Sequence, residues 1–187
     1  MAGILKVDQY QDFNGNNIMT SDGSGNITIN AAAMKATPAF MVYLSADQTL
    51  SDNTYAKIQF DTEVFDTDSA YDNSTNYRFT VPSGAAGKYS ITYHLLLYDA
   101  SGKLLGCRNA LYKNGSVLQE GIRELDAGLS NPFYNDTGVA TTLVDLSVGD
   151  YLEVYGRGNT TDSGSFIVDG DASQYYSYFS GYKLIGA

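Results

Sequence analysis

The sequence is short of the groups on which most enzyme chemistry is built. It holds one histidine, His94, and one cysteine, Cys107, in 187 residues. A single cysteine excludes an intrachain disulfide and leaves the redox compartment unspecified. Cys107 reads as a small hydrophobe packed in a strand rather than as a nucleophile. Hydrolytic catalysis needs a nucleophile with a base beside it. No Gly-x-Ser-x-Gly elbow occurs, and His94 lies inside a strand pattern, as a core or interface histidine would. Gly87-Lys88 superficially matches a phosphate loop, but the required upstream glycine is missing, Tyr89 follows, and a strand rather than a helix comes next. These absences argue against an enzyme and against a bound organic cofactor.

Charge and long apolar runs are also scarce. Charged residues make up 17% of the chain, and no apolar stretch approaches the roughly 20 residues that span a bilayer. A membrane is therefore not an expected partner. The N-terminal MAGILKVDQYQDF has no basic segment followed by an apolar run, so no secretory signal is expected. On that basis the Asn-x-Ser/Thr triplets at Asn26, Asn73, Asn135 and Asn159 read as turn formers rather than glycan sites. The charge present is one-sided, with 21 acidic against 11 basic residues and a net charge of −10. Such a surface repels phosphate backbones, which makes nucleic acid an improbable ligand. Sustained helical spacing is missing too. The nearest candidate, INAAAMKA at residues 29–36, is about two turns long, too short to be a helix on its own.

What is present points to strands. Hydrophobic residues make up 43% of the chain, with 16 Tyr and 19 Gly, which suits many short strands joined by turns. The central stretch is YRFTVPSGAAGKYSITYHLLLY, residues 77–98. Within it Tyr89, Ile91, Tyr93, Leu95 and Leu97 alternate with Ser90, Thr92, His94, Leu96 and Tyr98, a period of two that marks a strand over 88–98. Its second face begins polar and ends apolar, so packing is expected on both sides for part of its length. Further strands are predicted at 39–44, 55–60, 77–81, 103–112, 116–124, 139–146, 151–155, 165–168 and 175–185. Asn114-Gly115 is a strong hairpin turn, and 61–76 and 126–137 are polar connections. About nine or ten short strands at this spacing predict an all-β sandwich or jelly roll.

Residues 1–36 differ in texture. A strand at 4–7 and a hairpin of 17–20 and 27–30 around SDGSGN are predicted, with the Ala-rich 31–36 as linker. Two or three short strands cannot bury a core alone. The segment is therefore expected to dock on something, with Ile4, Leu5, Val7, Ile18 and Ile27 as its apolar anchor. The predicted division is an attachment segment, 1–36, and a jelly-roll domain, 37–187.

Several pieces in the larger part fall in the order of a known domain. They are Pro38-Ala39-Phe40, Ile58–Asp61, Tyr71 or Tyr77 with Phe79, and then Pro82, Gly87, Tyr89, Ile91 and Tyr93-His94. Lys113–Gly115, Leu146 with Gly149-Asp150, and Ser177–Leu184 with Tyr182 in the aromatic place complete them. Together they resemble the C1q-like globular domain of the tumour necrosis factor superfold over residues 38–185. The collagen-like stalk and secretory signal of the vertebrate members have no counterpart. The N-terminal segment instead resembles the short docking segments that head phage tail-fibre and capsid-decoration proteins.

The resemblance implies a homotrimer of jelly rolls, one sheet of each facing a threefold axis. It places Phe40, Tyr93, Tyr155, Tyr178 and Phe179 on strands of that sheet, as inner-sheet core or trimer interface. The implied role is a non-enzymatic structural protein at a virion surface, with a capsid or tail protein as partner of residues 1–36. The alternative is a trimeric module on a phage tail or bacterial surface that binds a host cell-surface protein or glycan. Calcium, bound by some members of the family, is the one metal to consider. Asp61, Asp66, Asp68 and Asp72 would supply oxygen ligands, and otherwise form a solvated acidic loop.

Overall fold

The computed structural model of the chain describes residues 7–29, 38–124 and 132–185. These form strands and turns with no helix, and all the strand pairs are antiparallel. The chain separates into two compact units, 1–36 with 185–187 and 37–184.

Within 7–29 the strands β1 (Gln9–Gln11), β2 (Asn17–Ser21) and β3 (Ile27–Ile29) form a sheet in that order. Tyr10, Met19 and Ile29 stand in one row across it. β2 and β3 are the predicted hairpin. β1 carries only Gln-Tyr-Gln and gives no apolar alternation to read. Ile4 and Leu5 lie outside the described residues. Val7 and Ile27 are exposed and Ile18 is half-buried.

The larger unit holds two sheets. The first comprises β5 (Ala46–Ser51), β15 (Ser165–Asp171), β10 (Gly87–Tyr98), β16 (Tyr178–Lys183), β4 (Ala39–Tyr43) and β7 (Thr62–Asp66), with β13 (Asn135–Leu146) along the other side of β10. The second runs β12 (Ser116–Glu124), β11 (Leu104–Lys113), β14 (Tyr151–Thr160), β9 (Arg78–Thr80) and β8 (Tyr71–Asp72), with the short β6 (Ala56–Lys57) beside β14.

Alternation along β10 positions the core. Tyr89, Ile91, Tyr93 and Leu95 are fully buried, while every residue between them is half-buried. Phe40 and Val42 of β4 and Phe179 of β16 point the same way. Phe79 reaches Phe40 from the second sheet, stacked at 4.6 Å, and Phe179 meets Phe40 edge-on at 5.0 Å. Removing a side chain of that size from water contributes roughly 2–3 kcal/mol. The buried Tyr89 hydroxyl donates to the Ala85 carbonyl at 2.6 Å, which satisfies its polar end.

The structure corrects several element boundaries. The connection 61–76 holds β7 and β8, and β5 precedes it. β5 and β7 are half polar and largely exposed, so their neighbours rather than their own patterns make them strands. Of the strand predicted over 55–60, Ala56–Lys57 form β6 against β14, and the Ile58 N–H donates to the Val154 carbonyl beside it. β13 begins at Asn135, inside the predicted connection. β14 continues past 155 to Thr160 through Gly156 and Gly158. A Cβ on Gly156 would meet Ile58 at 3.1 Å and one on Gly158 would meet Phe166 at 2.8 Å. The core-facing positions there must be empty, and this erases the apolar period.

Candidate functional site

The side of the first sheet that turns away from the core is the broadest feature of the larger unit. Strand register builds it row by row. Phe65, Met41, Ser180, Thr92 and Thr141 stand side by side across β7, β4, β16, β10 and β13. The next row is Thr62, Tyr43, Tyr178, His94 and Val139, and the row on the other side holds Ala39, Tyr182, Ser90 and Leu143. None of these is an acid, a lysine or an arginine. Phe65, Tyr182, Val139 and Leu143 are 47%, 50%, 63% and 69% exposed, so the apolar part of this face is open.

Internal bonds hold its side chains in place. The Thr92 and Thr141 hydroxyls lie 2.9 Å apart across β10 and β13. His94 stacks on Tyr178 with centroids 5.6 Å apart, and its Nδ1 lies 2.5 Å from the Tyr176 carbonyl. Charges appear only at the two ends. Lys88 stands in register with Asp145, and the Tyr98 hydroxyl donates to Asp47 at 2.6 Å. That bond pushes the Tyr98 phenol up to about 12, with smaller contributions from burial and the Asp47 and Asp169 charges.

The residues expected on this sheet divide. Phe40, Tyr93 and Phe179 face the core and are fully buried, and Tyr178 lies on the outward face. Tyr155 is corrected to the second sheet. On β14 it pairs with Ala110 and Lys57, and its ring packs on Tyr112 at 4.1 Å. Burial, followed by the neighbouring Glu153 carboxylate, pushes its phenol up to about 12. Alternation tells which side of a strand a residue takes, not which sheet the strand joins.

The carboxylates of the acidic loop are taken up by nearby N–H and hydroxyl groups. Asp61 accepts from the Ser45 N–H at 3.0 Å and hydroxyl at 2.7 Å. Asp66 accepts from the N–H of Tyr71 at 2.7 Å, and Asp68 from the Thr67 hydroxyl at 2.6 Å. Asp72 accepts from the N–H groups of Ser74, Thr75 and Asn76 and from the Asn76 side-chain amide. Among the described residues no group of three or more His, Cys, Asp or Glu is placed to hold a metal. Asp12 with Asn16, and Asp22 with Asn26, repeat the Asp72–Asn76 pattern. The signal in the sequence is Asp-x-x-x-Asn, an Asx-type turn. The Thr75 N–H, the strongest influence, holds Asp72 well below the usual carboxylate range against a smaller opposing effect of burial.

No protein-family model matches the chain, and no curated protein matches it. Solved structures do. The chain is similar to Eiger TNF from S. frugiperda, with TM-score 0.60 and 12% identity over 82% of this chain and 96% of that one. Murine APRIL gives TM-score 0.53 and 14% identity over 78% of this chain and 99% of that one. The globular domain of zebrafish complement 1qA gives 0.51 and 14%, over 79% and 98%. The fold is the tumour necrosis factor and C1q jelly roll. Identity this low speaks for the fold alone.

One edge of this C1q/TNF-like sandwich carries a second feature. Between β11, β12 and β13 lies a cavity of about 230 Å³ lined by Cys107, Asn109, Gly121, Arg123, Asp136 and Gly138, among others. Asn109 fills the space between the two edge strands. A Cβ on Gly138 would fall on its Nδ2, and one on Gly121 on its Oδ1. Arg123 pairs with the buried Asp136 carboxylate, which would otherwise be a costly lone charge. Burial, and after it the Asp136 charge, pushes the Cys107 thiol up to about 12, which disfavours the thiolate form.

Proposed function

We propose that the chain is a non-enzymatic structural protein whose jelly roll closes into a homotrimeric knob. Residues 1–36 would attach it to a capsid or tail protein at a phage virion surface. The observation that carries the trimer is the outward face of the first sheet. It is five strands wide and free of acids, lysines and arginines across its middle, and it exposes Phe65, Tyr182, Val139 and Leu143 on a chain of net charge −10. Obligate self-association buries roughly 2,000 Å² or more, and a broad uncharged sheet face suits that need. The attachment role is supported by Tyr10, Met19 and Ile27, exposed on a three-stranded sheet, and by Val7 exposed just before it, a sheet too small to bury a core by itself. The virion setting is supported by the resemblance of that segment to phage docking segments.

Native mass by light scattering tests the reading, on the whole chain and on a chain lacking residues 1–36. The expected result is three chain masses for both, with only the whole chain joining particles. A Val139→Glu variant should shift the mass toward one chain while leaving the circular dichroism of the strands unchanged. A monomeric wild type would remove the knob.

One observation favours a ligand-binding reading instead. Tyr175 is 39% exposed and packs on Tyr43 at 4.6 Å, a pair that suits stacking on a sugar ring. Saturable binding on a glycan array, lost in Tyr175→Ala, would replace the passive knob with a receptor-binding one.

A further inference from the structure

We propose that His94 makes closure of the outward face sensitive to acid, so that the knob assembles near neutral pH and loosens as pH falls toward 5. The inference rests on the homotrimer reading and adds a control to it. His94 occupies the middle of the face, between Tyr178 on β16 and Val139 on β13. Its Nδ1 lies 2.5 Å from the Tyr176 carbonyl oxygen. A carbonyl only accepts, so Nδ1 carries the proton of the neutral ring and Nε2 is left as the basic nitrogen. A second proton enters at Nε2 and makes the ring a cation.

No charged partner waits for that cation. From β16 the ring meets Tyr178 and its neighbour Ser180; from β13, Val139 and Thr141 share the face; from β4, Tyr43 stands in the same row. The loop before β16 contributes the Tyr176 carbonyl, and Thr92 and Leu96 flank His94 on its own strand. None of these is ionised near neutral pH. The carboxylates of this face stand at its ends: Asp145 in register with Lys88, and at the other end Asp47, which accepts from Tyr98, with Asp169 beside Leu96 and Tyr98.

The sign follows from hydration. On the separated chain His94 is half-exposed, and water solvates the imidazolium. Closing the face would bring three such rings into contact with apolar and hydroxyl side chains. Protonation would then be opposed by lost hydration and by repulsion between the rings. The assembled state therefore binds fewer protons than the separated chains, and falling pH favours separation.

The test is sedimentation of the full chain over a concentration series at about pH 8 and about pH 5.5, a span that brackets the titration of an ordinary imidazole. The wild type should need several-fold more protein to stay trimeric at the lower pH, each excluded proton contributing at most a factor of about ten per pH unit. His94→Gln, which keeps a donor for Tyr176 without titrating, should hold the same mass at both. Should that variant fail to fold, His94→Phe keeps a ring on Tyr178 and makes the same comparison. A wild type trimeric and equally tight at both pH values removes the switch and leaves the knob. Acid dissociation retained in the variant assigns the effect to other groups and also removes the switch. A chain monomeric at both removes the interface itself, and the switch with it.

Discussion

Asn76 donates its side-chain amide to Asp72 at 2.7 Å, and the Asn76 N–H donates to the same oxygen at 3.0 Å. With the N–H groups of Ser74 and Thr75 on the other oxygen, the carboxylate holds the whole turn between β8 and β9. Asp72→Ala should lower stability by about 1 kcal/mol, the net worth of a hydrogen bond or two once solvent competes. The folded carboxylate binds its proton more weakly than the unfolded one. Its contribution is therefore full above the ordinary carboxylate range near pH 4 and is lost as pH falls below it. Urea unfolding at several pH values should show wild type and variant converging in acid. A constant difference would mean that the charge plays no part.

Gly138→Ala should cost more, roughly 2 kcal/mol, because the new methyl would occupy the position of the buried Asn109 amide. The double change Gly138→Ala with Asn109→Ala frees that space and should recover part of the loss. Thermal melts of the two single variants and the double complete the cycle. Strict additivity would show that the two side chains do not compete.

Asp169 behaves in the opposite sense to Asp72. Burial first, then the Asp47 charge and a hydrogen bond with Asp47, and last the Asp171 charge, raise its carboxyl above the ordinary value. A raised folded value means that stability is greatest below the unfolded value and declines as pH rises through the folded one. Asp169→Asn should therefore stabilise at neutral pH by no more than about 1 kcal/mol, given partial exposure. The gain should shrink toward pH 4. Melting temperatures at both pH values check it, and a loss at neutral pH would show that the carboxylate makes a contact worth more than its repulsion.

Much of this architecture can be read from residue patterns, and the exceptions have physical causes. Strand β10 is legible because its two sets of side chains differ in kind. Strands β5 and β7 are not, since largely exposed strands need no apolar stripe. The far half of β14 hides because Ile58 and Phe166 fill the space above its glycines. The three Asp-x-x-x-Asn turns stand plainly in the sequence, yet acidic side chains in loops suggest ligands before they suggest turns. Of the aromatic residues expected on the first sheet, Tyr155 misleads because both sheets carry tyrosine. Tyr178 and Phe179 are neighbours whose opposite fates, face and core, follow from one step of alternation. The outward face itself emerges only when Met41, Ser180, Thr92 and Thr141 are brought into register from four strands.

That register also sets a timetable. Phe40 pairs with Gly181, and Leu50 with Phe166, so the earliest strands of the sandwich find their partners among the latest. Contacts of such sequence separation form slowly, because long loops must close before they are rewarded. On a ribosome adding about 5–20 residues per second, β4 would wait on the order of ten seconds for β16 to be made. Throughout that interval Phe179 and the rest of β16 are not there to cover Phe40 and Val42, though Tyr71 and Phe79 can already pack on Phe40. The yield of this protein in a cell is thus expected to depend on chaperone supply and expression temperature as well as on the stability of the finished fold.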